Sequence, residues 1–167
     1  LSSCSGAGGP GVIPLPHPEL IAAVQAGQRL LLDDGAIELE VESKTDTGLL
    51  CRTLVGGLLS SHKGVNVPGA APALEVLTQK DREDVLFAIE QQVDYLAQSF
   101  VRRADDVDVL RSFLRARESL TPIIAKIEKA EALESFDGIL AVADGVMIAR
   151  GDLGVETGVE QVPIEQK

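Results

Sequence analysis

The sequence predicts an α/β protein, and three observations support this class. Apolar and acidic residues alternate between Ile37 and Glu42, which is typical of a half-buried strand. After residue 76, short apolar runs alternate with segments of helical periodicity, and the runs start about 20 to 30 residues apart, as in βα units. Hydrophobic residues make up 45% of the chain and aromatic residues only 3%, so the core is expected to be aliphatic.

Residues 1–75 are predicted to be rich in β-structure. Residues 1–16 contain many Gly, Ser and Pro residues and are expected to be a flexible lead-in. The GAGGPG sequence at Gly6–Gly11 has no strand before it and is interpreted as a linker, not a dinucleotide-binding turn. A short helix at 18–24 is followed by short antiparallel strands of a small β-barrel or sandwich. The predicted strand segments and the turn between the first two are Leu30–Leu32, Asp33-Asp34-Gly35, Ile37–Val41, Leu49–Val55 and Leu58-Leu59.

Residues 76–167 are predicted to alternate between helices and strands. Thr78 is a suitable N-cap for a first helix whose buried stripe contains Val85, Leu86 and Ile89. The alternation implies a parallel sheet with right-handed crossovers. The later predicted elements are a strand at 94–101, a helix at 104–117, a strand at 122–127, a helix at 129–136 and a strand at 145–149. The helix at 104–117 is predicted to bury a stripe of Val107, Leu110, Phe113 and Leu114.

Composition excludes several classes of protein. A net charge of −11 argues against nucleic-acid binding, which needs a basic face. No apolar run has the length of a membrane span. Two cysteines, Cys4 and Cys51, are too few for a disulfide framework, so a reducing cytoplasmic location is expected. Because the first residue is not Met, the chain is expected to be part of a longer protein.

Charged residues stand where the predicted strands end. Ser99 ends one strand, Lys126 and Glu128 end the next, and Arg150 and Asp152 follow the last. In barrels of βα units the chemistry lies at the carboxyl ends of the strands. An ammonium group and two carboxylates there can hold a divalent cation against a phosphorylated anion. The pattern therefore points to phosphoryl-transfer or enolate chemistry.

Each motif also has a structural interpretation. Lys126 and Glu128 are two residues apart on one strand face, and they can form an internal salt bridge. The residues Arg150–Gly154 are predicted to form a tight loop, which either frees N–H groups for a carboxylate or phosphate or serves as a turn. The coincidence of both motifs at one expected edge favours the functional interpretation.

Two signature segments, KIE at Lys126–Glu128 and MIARGDLGVE at Met147–Glu156, resemble those of the pyruvate kinase family. Other segments agree in the same order, and the resemblance covers nearly everything from Pro14 to Lys167. These segments are LLLDDGAIELEV from Leu30, KGVNVPG from Lys63, LTQKDREDVLFAI from Leu77 and SFVRRADDV from Ser99. Three positions depart from the usual family residue, namely Lys129 in place of Asn, Ala143 in place of Ser and Gln92 in place of Gly.

The resemblance implies part of a (β/α)8 TIM-type barrel with an inserted small β-barrel lid domain. Residues 1–75 would be a partial lid, and residues 76–167 would be middle βα units of an incomplete catalytic barrel. The implied activity is phosphoryl transfer from phosphoenolpyruvate to ADP, which gives pyruvate and ATP in glycolysis. The family also implies a cytoplasmic homotetramer for the full-length protein, with no nucleic-acid or membrane partner.

The same resemblance implies roles for five residues. Lys126 would be the catalytic lysine that steadies the transferred phosphoryl group, and Glu128 and Asp152 would bind Mg²⁺ or Mn²⁺. The N–H groups of Gly151 and Asp152 would bind the substrate carboxylate, and Lys63 would reach the nucleotide phosphates. The family also implies K⁺, whose ligands would lie outside this chain.

Two alternatives remain open at this point. One is a Mg²⁺-dependent pyruvate or enolate aldolase or lyase of a related barrel, which needs no nucleotide lid. The other is a non-catalytic fragment. Because a complete barrel takes about 250 residues, this polypeptide alone is expected to be inactive.

Overall fold

The computed structural model describes residues 1–2, 8–9, 11–68 and 75–167. Contacts divide the chain into two compact units, Leu1–Leu74 and Glu75–Lys167. Most of the predicted linker at Gly6–Gly11 lies outside the described residues.

The first unit contains one helix and a four-stranded sheet. The sheet has the order β3-β2-β1-β4, and every neighbouring pair is antiparallel. This arrangement confirms the predicted antiparallel strands and the short helix before them. The elements are α1 (Pro18–Ala23), β1 (Arg29–Leu32), β2 (Ile37–Thr45), β3 (Gly48–Val55) and β4 (Val65–Asn66).

Strand β2 shows why this segment forms a half-buried strand. Its apolar side chains face the core, and its acidic side chains point outward. The acidic face is partly shielded, because Arg29 lies 2.6 Å from Glu38 and Arg52 pairs with Glu40. The buried residues of β2 are Ile37, Leu39 and Val41.

The predicted Asp33-Asp34-Gly35 turn joins β1 to β2. The φ angles of these residues are 51°, 54° and 87°, and the Ala36 N–H donates to the Asp33 carbonyl at 3.0 Å. Asp and Gly tolerate the left-handed region better than most residues, so the sequence suits the turn.

Two parts of the first unit differ from expectation. The Leu58-Leu59 segment was expected to extend the β pattern, but it lies outside the strands, and Leu58 is 94% exposed. Val65–Asn66 pairs with β1 instead. Within the predicted lead-in, Leu15 is buried, and its N–H donates to the Ser2 carbonyl at 2.7 Å.

The second unit alternates strands with helices around a three-stranded parallel sheet of order β5-β6-β7. This alternation confirms the α/β class. Among the described residues, no helix is long and apolar enough to cross a membrane. The elements are α2 (Gln79–Glu90), β5 (Leu96–Gln98), α3 (Ala104–Arg115), β6 (Ile123–Ile127), α4 (Ala130–Glu134), α5 (Phe136–Val142), β7 (Gly145–Ile148), α6 (Arg150–Thr157) and α7 (Val162–Glu165).

Local sequence accounts for the helices that were predicted best. Thr78 caps α2 in a reciprocal capping box with Asp81. Helix α3 buries the whole predicted stripe against alternate residues of β6. The side chains of this core include Val107, Leu110, Phe113, Leu114, Ile123, Ala125 and Ile127.

Several boundaries differ from the prediction. The strand predicted at 94–101 contains only Leu96–Gln98, because Phe100 has a φ of 58° and ends the extended backbone. Leu86, placed in the buried stripe of α2, is 40% exposed. The helix predicted at 129–136 is followed by α5, which continues to Val142. Burial of Ile139 outweighs the turn preference of Asp137 and Gly138.

The predicted loop at Arg150–Gly154 is instead the first part of α6. Gly154 reads as a turn residue in the sequence, but its role is close packing. A Cβ there would lie 3.1 Å from the Val159 side chain. The glycine therefore permits a tight approach of the following segment and does not end the helix.

Candidate active site

The register of the parallel sheet brings the ends of its strands to one edge. Gln98 of β5 lies opposite Ala125 of β6, and Ile127 of β6 lies opposite Ile148 of β7. The Ala149 N–H then donates to the Ile127 carbonyl at 3.0 Å. The residues that follow each strand consequently start from the same carboxyl edge.

Lys126 contacts side chains from two of these strand ends. Its Nζ donates to Ser99 Oγ at 2.8 Å and lies 2.9 Å from Glu128 Oε2. The lysine side chain is 24% exposed, so the ammonium group remains accessible from the edge of the sheet. The structure thus brings together three residues that the sequence placed at strand ends.

Glu128 is a buried carboxylate with unused hydrogen-bonding capacity. Its side chain is 3% exposed, and Oε1 accepts the Phe100 N–H at 2.7 Å. Oε2 lies 2.9 Å from the Lys126 ammonium and has no further partner within the described part of the chain. An ionised carboxylate offers about four lone-pair positions, so this oxygen suits an additional cation.

The backbone that serves Glu128 is strained. Phe100 adopts the left-handed φ of 58°, and its ring is largely exposed. A bulky residue in this region costs of the order of 1–3 kcal/mol and persists where surrounding contacts hold it. In this conformation the Phe100 N–H points toward the Glu128 carboxylate and donates to it.

Helix α6 begins directly after β7, and its first N–H groups precede the helical hydrogen-bond ladder. Its first helical hydrogen bond runs from the Leu153 N–H to the Ala149 carbonyl, so Arg150, Gly151 and Asp152 precede the ladder. Ala149 supplies no side-chain cap. Gly151 and Asp152 are both exposed, and a Cβ on Gly151 would meet nothing within 4 Å.

A further ion pair connects the loop after β6 with α6. Lys129 Nζ pairs with Glu156, whose side chain is 7% exposed. Periodicity could not indicate this contact, because the two residues are 27 positions apart. The departure at Lys129 from the usual family residue was the one available signal.

Lys63 belongs to the first unit, whereas the other predicted site residues belong to the second. Its Nζ lies 2.7 Å from Asp33 Oδ1, in the turn between β1 and β2. The hydrogen bond to Asp33 raises the pKa of Lys63 above its usual value.

A cleft of about 480 Å³ opens at the opposite, amino edge of the sheet. Asp144 accepts the Ile123 N–H at 2.7 Å and lies 2.7 Å from Arg111. Both contacts hold the pKa of Asp144 below its usual range, the Ile123 hydrogen bond most strongly. The cleft lining contains two arginines and two aspartates, so it has no excess charge with which to select an anion.

The carboxylates at the carboxyl edge suit a divalent cation that takes its remaining ligands from substrate and water. In the described ranges, no group of three or more His, Cys, Asp or Glu residues is placed to hold a metal. Two carboxylates, Glu128 and Asp152, would leave most positions of a hard cation to oxygens of substrate and water, which is how Mg²⁺ is commonly bound.

The fold and this edge define an α/β domain with charged groups at the carboxyl ends of parallel strands. A family model described as pyruvate kinase, barrel domain, matches residues 2–167. The chain is 50% identical over 147 residues to pyruvate kinase 2 of Synechocystis sp., covering 86% of this chain and 25% of that protein. It is 49% identical over 163 residues to pyruvate kinase of Geobacillus stearothermophilus, covering 96% and 28%.

An archaeal relative, pyruvate kinase of Thermococcus litoralis, is 44% identical over 155 residues, which are 93% of this chain and 33% of that protein. The chain belongs to the pyruvate kinase family. It spans a quarter to a third of the length of these curated relatives.

Proposed function

We propose that this chain forms the central part of the catalytic site of a pyruvate kinase. The protein would transfer a phosphoryl group from phosphoenolpyruvate to ADP, giving pyruvate and ATP in glycolysis. The observation that carries the proposal is the position of the Lys126 ammonium, 2.9 Å from Glu128 and 2.8 Å from Ser99 at the carboxyl edge of the sheet.

Lys126 has the position and charge for the transfer step. The P–O bond to the enol oxygen breaks while a new bond forms to a β-phosphate oxygen of ADP. The enolate that leaves then takes up a proton at its methylene carbon to give pyruvate. Such transfers pass through a loose transition state, so catalysis depends mainly on placement and positive charge. An ammonium group held by Ser99 and Glu128 is fixed before substrate arrives, which lowers the reorganisation needed during the step.

Glu128 and Asp152 would bind Mg²⁺ or Mn²⁺. The free capacity of the buried Glu128 Oε2 supports this role, as does the exposure of Asp152 in the first turn of α6. When bound, the cation would offset the negative charge of the phosphate and enolate oxygens.

The N–H groups of Gly151 and Asp152 would receive the substrate carboxylate. Helix N-termini bind anions because their N–H groups lack intrahelical partners and the helix dipole is positive there. The open space around Gly151 would let a carboxylate approach the backbone closely.

We extend the proposal to the domains. The first unit would be a partial lid domain, a small β-barrel in the complete protein, and Lys63 would reach the nucleotide phosphates. The second unit would supply middle βα units of a (β/α)8 TIM-type barrel. The whole protein would be a cytoplasmic homotetramer, and its K⁺ ligands would lie outside this chain.

A chimera tests the catalytic proposal. Residues 14–167 would replace the matching segment of the G. stearothermophilus relative, and turnover of phosphoenolpyruvate and ADP would be assayed with Mg²⁺ and K⁺. We expect the chimera to be active and Lys126→Met to lower kcat about 100- to 1,000-fold. Lys80→Met is the matched control, because Lys80 pairs with Asp84 on an exposed helix face.

Retention of full turnover by the folded Lys126→Met chimera would contradict the proposed role. The isolated 167-residue chain should show no turnover, since it spans only part of its relatives; robust pyruvate formation by it would contradict that expectation. An aldolase or lyase would be indicated by indifference of the chimera to ADP. Equal Mg²⁺ affinity of the chain and of Asp152→Ala would instead favour a non-catalytic module.

A further inference from the structure

The Lys129–Glu156 ion pair has no part in the proposed chemistry, yet it joins the two segments that carry the proposed metal ligands. We propose that Lys129 and Glu156 are positioning residues that fix the separation between the Glu128 and Asp152 carboxylates. This inference rests on the proposed function, because it assumes that these two carboxylates share one divalent cation.

Chain order places each member of the pair beside one carboxylate. Lys129 directly follows Glu128 and is the N-cap residue of α4. Glu156 lies four residues after Asp152 in α6, so the two acidic side chains share one face of that helix. A contact between Lys129 and Glu156 therefore ties the backbone of one ligand to the helix of the other.

The proposed site needs such a tie. Helix α6 has eight residues, and no side chain caps its N-terminus. Short helices without caps fray at their ends, and Asp152 lies within the first turn. At its other end α6 is held, because Thr157 donates to Glu165 at 3.0 Å. The Lys129–Glu156 pair attaches α6 to the segment after β6, about one helical turn beyond Asp152.

Burial distinguishes this pair from ordinary surface ion pairs. Glu156 is almost fully enclosed at 7% exposure, and Lys129 is 26% exposed. A buried pair is screened little by solvent and tolerates little variation in geometry. The pair can therefore define a distance, which an exposed pair of flexible side chains does not.

A different explanation makes the opposite prediction for one variant. If Lys129 acts only through its charge, it repels a nearby cation, and Lys129→Met should tighten metal binding while Glu156→Gln should weaken it. If the pair positions the ligands, both variants should weaken binding. The two single variants thus separate geometry from electrostatics.

The experiment measures Mn²⁺ binding to the full 167-residue chain by calorimetry and by electron paramagnetic resonance. We expect Lys129→Met and Glu156→Gln each to raise the Kd about tenfold or more, as loss of a residue that orients a ligand commonly does. The charge-swapped double variant, Lys129→Glu with Glu156→Lys, should recover a large part of the affinity. Lys129→Arg should bind like the unaltered chain.

Hydrogen exchange without metal provides a second readout. Loss of the pair should speed exchange at the Leu153 amide, which makes the first helical hydrogen bond of α6. Exchange in α3 should stay unchanged, which shows that the variant remains folded. If Lys129→Met does not fold, Lys129→Arg and the charge-swapped variant take its place. Mn²⁺ binding retained in Lys129→Arg and largely recovered in the charge-swapped variant supports the positioning role, and loss of binding in both contradicts it.

The possible outcomes are distinct. Tighter Mn²⁺ binding by Lys129→Met, or an unchanged Kd in both single variants, overturns the positioning role. If Asp152→Asn nevertheless loses Mn²⁺ binding, the proposed metal site still stands. Equal Mn²⁺ binding by the unaltered chain and Asp152→Asn contradicts the proposed metal site itself. Absence of Mn²⁺ binding by the unaltered chain overturns both.

Discussion

At the scale of single residues, the two lysines with proposed roles already have carboxylate partners. Lys126 contacts Glu128 at 2.9 Å, and Lys63 contacts Asp33 at 2.7 Å. The two pairs differ in surroundings, because Glu128 is buried and is also held by the Phe100 N–H, whereas Lys63 and Asp33 are both accessible. Lys126 is therefore fixed in place, whereas Lys63 can exchange Asp33 for another anion.

This difference predicts the behaviour of Asp33→Asn. The substitution keeps a residue that tolerates the left-handed φ of 51° but removes the charge that holds Lys63. We expect the affinity for ADP to rise about two- to fivefold, the modest scale of an exposed ion pair. The pKa of Lys63 should fall toward its usual value. Calorimetry with ADP and NMR titration of the lysine measure these effects.

Asp34→Asn is the control for the loss of charge. Asp34 has the same left-handed conformation and forms no ion pair with Lys63 within the described residues. Lys63→Ala should weaken ADP binding. If Asp33→Asn and Asp34→Asn have the same effect, general charge rather than the ion pair sets the affinity.

At the scale of elements, the parallel strands are held at both edges by side chains. The carboxyl edge has the Lys126 and Glu128 contacts described above. The amino edge has Asp144, which joins the start of β6 to α3 through Ile123 and Arg111. The carboxyl edge therefore contains the proposed site residues, whereas the side chains of the amino edge attach a strand to a helix.

The amino-edge contact predicts a pH dependence of stability. The pKa of Asp144 is lowered in the folded chain, first by the Ile123 N–H and then by Arg111. The unfolded chain, with an ordinary pKa near 3.9, binds the proton more readily. The stabilisation is therefore present above about pH 4 and is lost as the pH falls through the folded pKa.

Asp144→Asn should lower the urea midpoint at pH 7. At low pH the midpoints of the variant and of the unaltered chain should be closer, because the unaltered chain has lost the same stabilisation. Urea unfolding at a series of pH values, followed by circular dichroism, measures both effects. Asp137→Asn serves as the control, because Asp137 is exposed and has no ion pair among the described residues. A constant difference between Asp144→Asn and the unaltered chain at all pH values would contradict the linkage.

At the scale of the whole molecule, the sequence predicted what depends on local periodicity. The stripe of α3 repeats at helical spacing, and β2 alternates strictly, so both were predicted correctly. Gly154 was misleading, because its neighbour Leu153 is fully buried and packing outweighed turn preference.

Contacts between distant positions could not be predicted from periodicity. The Lys129–Glu156 and Lys63–Asp33 pairs join residues about 30 positions apart, and their formation depends on the register of strands. The left-handed Phe100 was equally hidden, since nothing in a bulky aromatic residue favours that conformation. The residue types at strand ends were visible, but the partners that hold them were not.

The two units have separate cores, and this predicts how the molecule unfolds. Leu30 belongs to the first core and Ile123 to the second, both are fully buried, and the two clusters share no residue. Truncation of either side chain to Ala should cost about 2–5 kcal/mol, since each leaves a cavity in its own core. Leu30→Ala should therefore remove amide protection from β2 and β3 while β6 stays protected, and Ile123→Ala should do the reverse. Native-state hydrogen exchange measures protection strand by strand. Equal loss of protection in both units, from either substitution, would show instead that the chain unfolds as one cooperative body.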